Sequence, residues 1–186
     1  MRVSTRRNAA RVAAATSVAL LVPLVVATES AEAAPAGAPA AIAAAAPAKK
    51  MTRAQVKHRR AVHKRAALVK FAKKKKRTGQ YVAGASRSNA FDCSGFTKLI
   101  YRKVAKINLP HYSAAQMHRA KRVSKRHLKR GDLLFWGPGA RQHVSMYIGG
   151  GKMIGANNPR SDVQIEGING GYWRPRYHSA GRLIQG

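Results

Sequence analysis

Residues 34–48, "APAGAPAAIAAAAPA", contain little besides Ala and Pro, and no stretch of the chain restricts its folding more. With so little side-chain surface to bury, the stretch cannot pay the entropy of folding and reads as a semi-extended linker. Any packed core must therefore lie after it. What comes before is short. Arg2, Arg6, Arg7 and Arg11 form a positive head, Val18 to Ala27 form an apolar run, and Ala31 and Ala33 precede an expected cut before Ala34. This is the pattern of a secretory signal peptide over residues 1–33. The apolar run falls short of the ~20 residues that a bilayer crossing requires. Arg6-Arg7 lacks the strong apolar residues expected after a twin-arginine pair, which favours the general export route. The expected product is secreted, extracellular or cell-wall associated.

Past the linker the charge changes abruptly. Fourteen Lys or Arg and no acid fall between Lys49 and Arg77. The formal charge of +30 drops only to +28 when residues 1–33 are removed, and Asp92, Asp132, Asp162 and Glu166 are then the only acids. Such a surface attracts polyanions. No nucleic-acid-reading motif accompanies the run, so no specific nucleic-acid partner is expected. An exported protein meets anionic wall polymers and the membrane surface first, and these are the expected partners of residues 49–77; a plain solvated helix is the competing reading. Ala61, Val62, Leu68, Val69 and Ala72 fall on one helical face, and the helix should stop by Thr78-Gly79. Residues 34–59 are accordingly expected to be a largely disordered linker and lead-in, and residues 60–186 the folded domain.

The single cysteine, Cys93 in "FDCSG", cannot form an internal disulfide. It is either a buried small hydrophobe or a reactive thiol. Asp92 is a good helix N-cap, and Phe96, Leu99, Ile100 and Val104 supply helical spacing behind it. Cys93 thus opens a helix, where unpaired backbone N–H groups and the helix dipole stabilise a thiolate. A thiolate nucleophile needs a base. His58 and His63 lie in the basic run, while His111, His118 and His127 sit in a polar connecting region and His178 lies near the C-terminus. His143 opens "HVSMYIGG", an alternating strand that follows "GDLLFW" and a Gly-Pro-Gly turn. A histidine at a strand start can aim at a helix terminus in the neighbouring layer, although position alone leaves an ordinary surface histidine equally open. Asp132, between Gly131 and an apolar strand, reads as a turn residue.

The order of "FDCSGF", "LPHYSAAQ", "LKRGDLLFW", "HVSMYIGGGKMIGA" and "GRLI" resembles that of the NlpC-type cysteine peptidases, papain-like α+β enzymes that cut peptidoglycan stem peptides. The resemblance covers roughly residues 60–186. It implies Cys93 as nucleophile, His143 as general base and Tyr81 near the thiol, with peptidoglycan as substrate and the D-glutamate–diaminopimelate bond as the usual target. One position departs from the pattern. Such families place a polar residue, which orients the imidazole, twelve positions after the histidine. That position here is Gly155; Asn157 and Asn158, two and three residues further on, can serve if the strand shifts or bulges, and Asn157 is taken as the orienting residue. Ser94 and Ser113 are candidates for contact with substrate, though capping and surface roles compete.

The expected fold is α+β, with N-terminal helices packed on a small antiparallel sheet of about five strands. These strands should start near Asp132, His143, Lys152, Val163 and Gly181. Neither a cofactor nor a metal is expected, because the Asp, Glu and His residues show no ligand-like clustering. The expected function is a secreted cysteine endopeptidase acting in cell-wall remodelling. Competing readings are a catalytically weakened wall-binding protein of the same fold, a polyanion-binding basic protein, and an amidase or acyl transferase.

Overall fold

The computed structural model describes residues 50–186; the expected signal peptide and the linker up to residue 49 lie outside the described residues. Helix α1 spans Arg53–Lys76. It starts at Arg53 because a capping box holds its first turn. The Thr52 hydroxyl accepts the Gln55 N–H at 3.2 Å, and the Gln55 side chain accepts the Thr52 N–H at 2.8 Å. Residues 53–59 of the basic lead-in are therefore helical. Ala61, Arg65, Leu68 and Ala72 form the buried stripe, with Val69 beside it. Val62, expected on that face, is 47% exposed. The arc its position requires is turned from the core, and the long Arg65 stem fills the stripe instead. Lys73–Lys76 occupy the last turn, where positive charge complements the helix dipole.

Two short strands, β1 (Gln80–Tyr81) and β2 (Ala90–Phe91), pair in parallel and lead into helix α2 (Cys93–Ile100). Phe96, Leu99 and Ile100 of α2 are essentially inaccessible to solvent. Burying each such side chain stabilises the fold by roughly 1.5–3 kcal/mol. A π-helical turn over Tyr101–Ala105 continues α2 and ends at Lys106, whose φ of 61° stops the helix. Helix α3 (Ser113–Arg119) follows.

The remainder is one antiparallel sheet of β3 (Lys121–Val123), β4 (Leu133–Trp136), β5 (His143–Gly149), β6 (Lys152–Asn158), β7 (Asp162–Gly167) and β8 (Tyr177–Arg182). Its spatial order is β3-β8-β4-β5-β6-β7. The fold is thus α+β as expected, with six strands in place of about five. The additional strand is β3, an edge strand of sequence KRV paired only to β8. It shows no hydrophobic alternation, so nothing local announces it. Strand β8 starts at Tyr177 rather than at Gly181.

Strand β4 is buried on both faces, and its alternation divides the core. Leu133 and Phe135 join Val144, Met146 and the residues of α1 and α2 on one side. Leu134 and Trp136 join Met153, Ile168 and Trp173 on the other. Strand β5, in the interior of the sheet between β4 and β6, carries His143 at its first position.

Candidate active site

Asp92 organises the start of α2. The Gly95 N–H (2.7 Å) and the Ser94 hydroxyl (2.9 Å) donate to its Oδ1. The Gly84 N–H donates to Oδ2 at 3.1 Å, and His111 Nε2 lies 2.9 Å from the same oxygen. One carboxylate therefore caps α2, holds the loop before it and engages His111. Gly95 is needed for this close approach, since a Cβ there would stand 2.2 Å from the Ala85 carbonyl oxygen.

Cys93 is partly buried at the first position of α2. Burial pushes its thiol above the ordinary range, while the backbone N–H groups of Val144, Ser94 and Cys93 itself draw it down and the Asp92 charge raises it again. The net direction is up. A helix start alone would favour a standing thiolate, but here desolvation outweighs the N–H groups. His143 is buried, which lowers its imidazole to about 4 despite the opposing influence of Asp92. At neutral pH both groups therefore rest uncharged. Val144, whose backbone is among the groups that favour the ionised thiol, directly follows His143 in β5.

Behind the imidazole lies the region of Gly155. His143 Nε2 and Asn157 Oδ1 are buried and, among the described residues, without hydrogen-bond partners. A Cβ on Gly155 would lie 3.1 Å from each of them and 3.1 Å from Ser145 Cβ. Asn157 reaches this region from a bulge in β6, where the register with β7 shifts between Ala156 and Asn158. The Trp173 ring packs on the His143 ring at a centroid distance of 5.0 Å, inclined by 35°.

The other sequence candidates divide. Tyr81 is half-buried beside the thiol; burial raises its hydroxyl first, and the proximity of Cys93 and Asp92 adds to this. Its backbone N–H donates to Asp162 Oδ1 at 2.8 Å. Ser94 is buried and bonded to Asp92. Ser113 is also buried, its hydroxyl donating to the Ala140 carbonyl at 2.6 Å, which ties α3 to the Gly-Pro-Gly turn. With both hydroxyls enclosed and engaged internally, Ser94 and Ser113 are structural rather than placed for substrate.

Sequence reasoning overlooked three residues. Gln116 is fully buried and bridges Thr97 Oγ1, the Ser94 carbonyl and the Pro110 carbonyl, locking α3 onto α2. Its position within "LPHYSAAQ" was the available signal. Glu166 receives the Asn157 side-chain amide and the Trp173 indole N–H, the latter at 2.9 Å. Being one of only four acids after residue 33 in so basic a chain was the only hint for Glu166, and nothing local marked Trp173. Two broad surface depressions follow α1, lined by residues such as Met51, Val56 and Arg60, and contain neither Cys93 nor His143.

With this geometry in place, comparison with known proteins gives a consistent result. The family model described as NlpC/P60 family matches residues 78–182, more than half of the chain. The murein DD-endopeptidase MepS/murein LD-carboxypeptidase of Escherichia coli is 34% identical over 106 residues, covering 56% of this chain and 56% of that protein. The gamma-D-glutamyl-L-lysine dipeptidyl-peptidase of Bacillus cereus is 36% identical over 108 residues, covering 56% of this chain and 32% of that protein. The chain thus spans about half or less of the length of these curated relatives. A crystal structure of an NlpC/P60 family protein from Bacillus cereus superimposes with a TM-score of 0.60 at 31% identity, over 65% of this chain and 40% of that one.

Proposed function

The chain belongs to the NlpC/P60 family, and from that premise we propose that it is an exported cysteine endopeptidase that hydrolyses peptide bonds in peptidoglycan stem peptides. The observation that carries this reading is the seating of the Cys93 thiol in the first turn of α2, a helix packed on strand β5, which begins at the buried His143.

In the proposed reaction, substrate enters beside a neutral thiol and a neutral imidazole. His143 takes the thiol proton as the sulfur attacks the scissile carbonyl, so charge develops only when it is used. The carbonyl oxygen becomes an oxyanion and accepts a hydrogen bond from the Cys93 backbone N–H at the helix start. The carbon–nitrogen bond then breaks, and the imidazolium donates its proton to the departing amine. Water, deprotonated by His143, attacks the thioester and releases the carboxylate product and the thiol. Tyr81 forms part of the wall beside the sulfur.

The proposed scissile bond joins D-glutamate to diaminopimelate. The name of the Bacillus relative specifies a γ-D-glutamyl–lysine linkage, which is the same bond chemistry with another diamino acid. The name of the Escherichia coli relative specifies other bonds of the same polymer. The test is to incubate the mature protein with purified sacculi and to weigh the soluble peptides by mass spectrometry. Fragments with diaminopimelate at their amino end, absent with Cys93→Ala, are the expected result. Fragments cut between D-alanine and diaminopimelate would move the bond. Release of nothing by a folded protein would overturn the endopeptidase in favour of a wall-binding role.

A further inference from the structure

Gly155 leaves the imidazole of His143 without a polar neighbour at the expected place, yet the region around it is not vacant. Two enclosed polar atoms face the same point: His143 Nε2 and Asn157 Oδ1 each lie 3.1 Å from where a Gly155 Cβ would stand, and neither has another partner among the described residues. Burying two complementary groups unpaired is costly, because neither recovers the hydrogen bonds it made to water, so a pair of such orphans at one point needs a reason. The side chain of Asn157 is not free to choose its orientation. Its Nδ2 donates to Glu166 Oε2, which also accepts the Trp173 indole N–H at 2.9 Å. An ionised carboxylate only accepts and an indole N–H only donates. If the Asn157 amide turned over, its oxygen would face the carboxylate oxygen and repel it. Trp173 closes the circuit by packing its ring on the imidazole at 5.0 Å.

We propose that Glu166 and Trp173 are positioning residues for His143, acting through Asn157: they hold the Asn157 oxygen toward Nε2, where it receives the imidazole N–H directly or through one water. This inference rests on the Cys93–His143 reading above and explains how that pair works with glycine at position 155. The consequence is a defined tautomer. With an acceptor at Nε2, the proton resides there and Nδ1 keeps its lone pair for the thiol. Gly155 belongs to the arrangement because a side chain at that position would occupy the space the amide oxygen uses. Glu166 touches neither thiol nor substrate, so its effect must vanish when Asn157 is removed.

That dependence is the test. The readouts are the rate of Cys93 alkylation by iodoacetamide across pH, which needs no substrate, and kcat and KM for muropeptide release from sacculi. Wild type, Asn157→Ala, Glu166→Ala, Glu166→Gln and the Asn157→Ala/Glu166→Ala double variant are compared, each first shown to be folded by circular dichroism. Asn157→Ala and Glu166→Ala should each lower kcat by about 10–1000-fold with little change in KM, a loss smaller than that of a nucleophile. The double variant should be no worse than Asn157→Ala alone, since the two side chains act in series. Glu166→Gln keeps an acceptor oxygen for both donors and should recover most of the rate, and it remains informative if Glu166→Ala fails to fold. Alkylation should slow in the same order. Additive losses, a Glu166→Gln variant as poor as Glu166→Ala, or wild-type rates throughout would each overturn the proposal. His143→Ala separates the two layers of inference. If that variant alkylates like wild type, the Cys–His reading itself fails. If it is slow while Glu166→Ala is normal, only the positioning role fails.

Discussion

Burial gives His143 a signature that can be measured apart from catalysis. Its imidazole titrates near 4 in the folded protein against the ordinary 6.5, because the enclosed ring resists carrying charge. As pH falls, the unfolded chain takes up this proton first. The stability that the neutral ring contributes is complete above 6.5, is lost between 6.5 and about 4, and changes no further below that. The full loss is on the order of 3 kcal/mol at about 1.4 kcal/mol per pH unit. Thermal melts should therefore show wild type losing Tm over this interval more steeply than His143→Gln; equal slopes would show that the ring titrates normally. Gly155 carries a second expectation. Adding a polar side chain at that position looks like a repair, but its Cβ would already stand 3.1 Å from both Asn157 Oδ1 and His143 Nε2. Gly155→Asn alone should bring no gain in kcat, whereas the same change should raise the rate of an Asn157→Ala protein. A gain in the wild-type background would mean that Asn157 is a bystander.

The sheet is pinned to its edge by an ion pair that joins two of the sequence motifs. Asp132, before β4, is 1% exposed and receives Arg182 Nε at 2.8 Å and Nη2 at 2.7 Å from the end of β8. It also accepts the Lys129 N–H at 2.7 Å, so the turn role read from "RGD" holds beside a larger one. Removing one partner of such a pair leaves a buried charge with nothing to answer it. Arg182→Ala should destabilise the domain by about 3–5 kcal/mol in chemical denaturation. Replacing both partners, as Asp132→Asn with Arg182→Leu, should cost less than Arg182→Ala. A loss below about 1 kcal/mol in Arg182→Ala would put this pair in the class of exposed surface bridges.

Charge is distributed over the described residues in an unusually one-sided way. Asp92, Asp132, Asp162 and Glu166 all accept internal hydrogen bonds, and Arg182 is the single Lys or Arg in an ion pair with one of them. Among the described residues, the other Lys and Arg side chains form no ion pair with these four acids. Lys57, Arg59, Arg60 and Lys64 stand exposed on the first half of α1. We propose that this face holds the protein to phosphate-bearing wall polymers and takes no part in the chemistry. Neutralising these four residues to Gln should abolish sedimentation with cell walls at low salt, where attraction to a polyanion is least screened. Removing residues 34–49 should change that binding little, because the helix and its Thr52 cap are kept. Cleavage of a short soluble stem peptide should be unaffected in both proteins. Undiminished wall binding after neutralisation would shift the anion site to another face of the domain.

Helix α2, its Asp92 cap, the strand beginning at His143 and the α+β class were legible because each rests on neighbours within a few residues: a cap two positions before Ser94, apolar side chains at helical spacing, alternation along β5. Such signals survive in the linear order because backbone geometry converts short spacing directly into one face or one end of an element. Strand β3 left no such trace, since KRV becomes a strand only by pairing with β8. The start of α1 at Arg53 was within reach, as Thr52 and Gln55 form a recognisable box. The surroundings of His143 were not. Trp173 packs on its ring from the loop after β7, Asn157 comes near it from a bulge in β6, Glu166 on β7 joins these two, and no spacing rule links them. The same holds for the electrostatics. Position predicts an activated thiol at a helix start, while the enclosing layers make both thiol and imidazole rest neutral, because desolvation depends on everything packed around a group and not on its place in the chain.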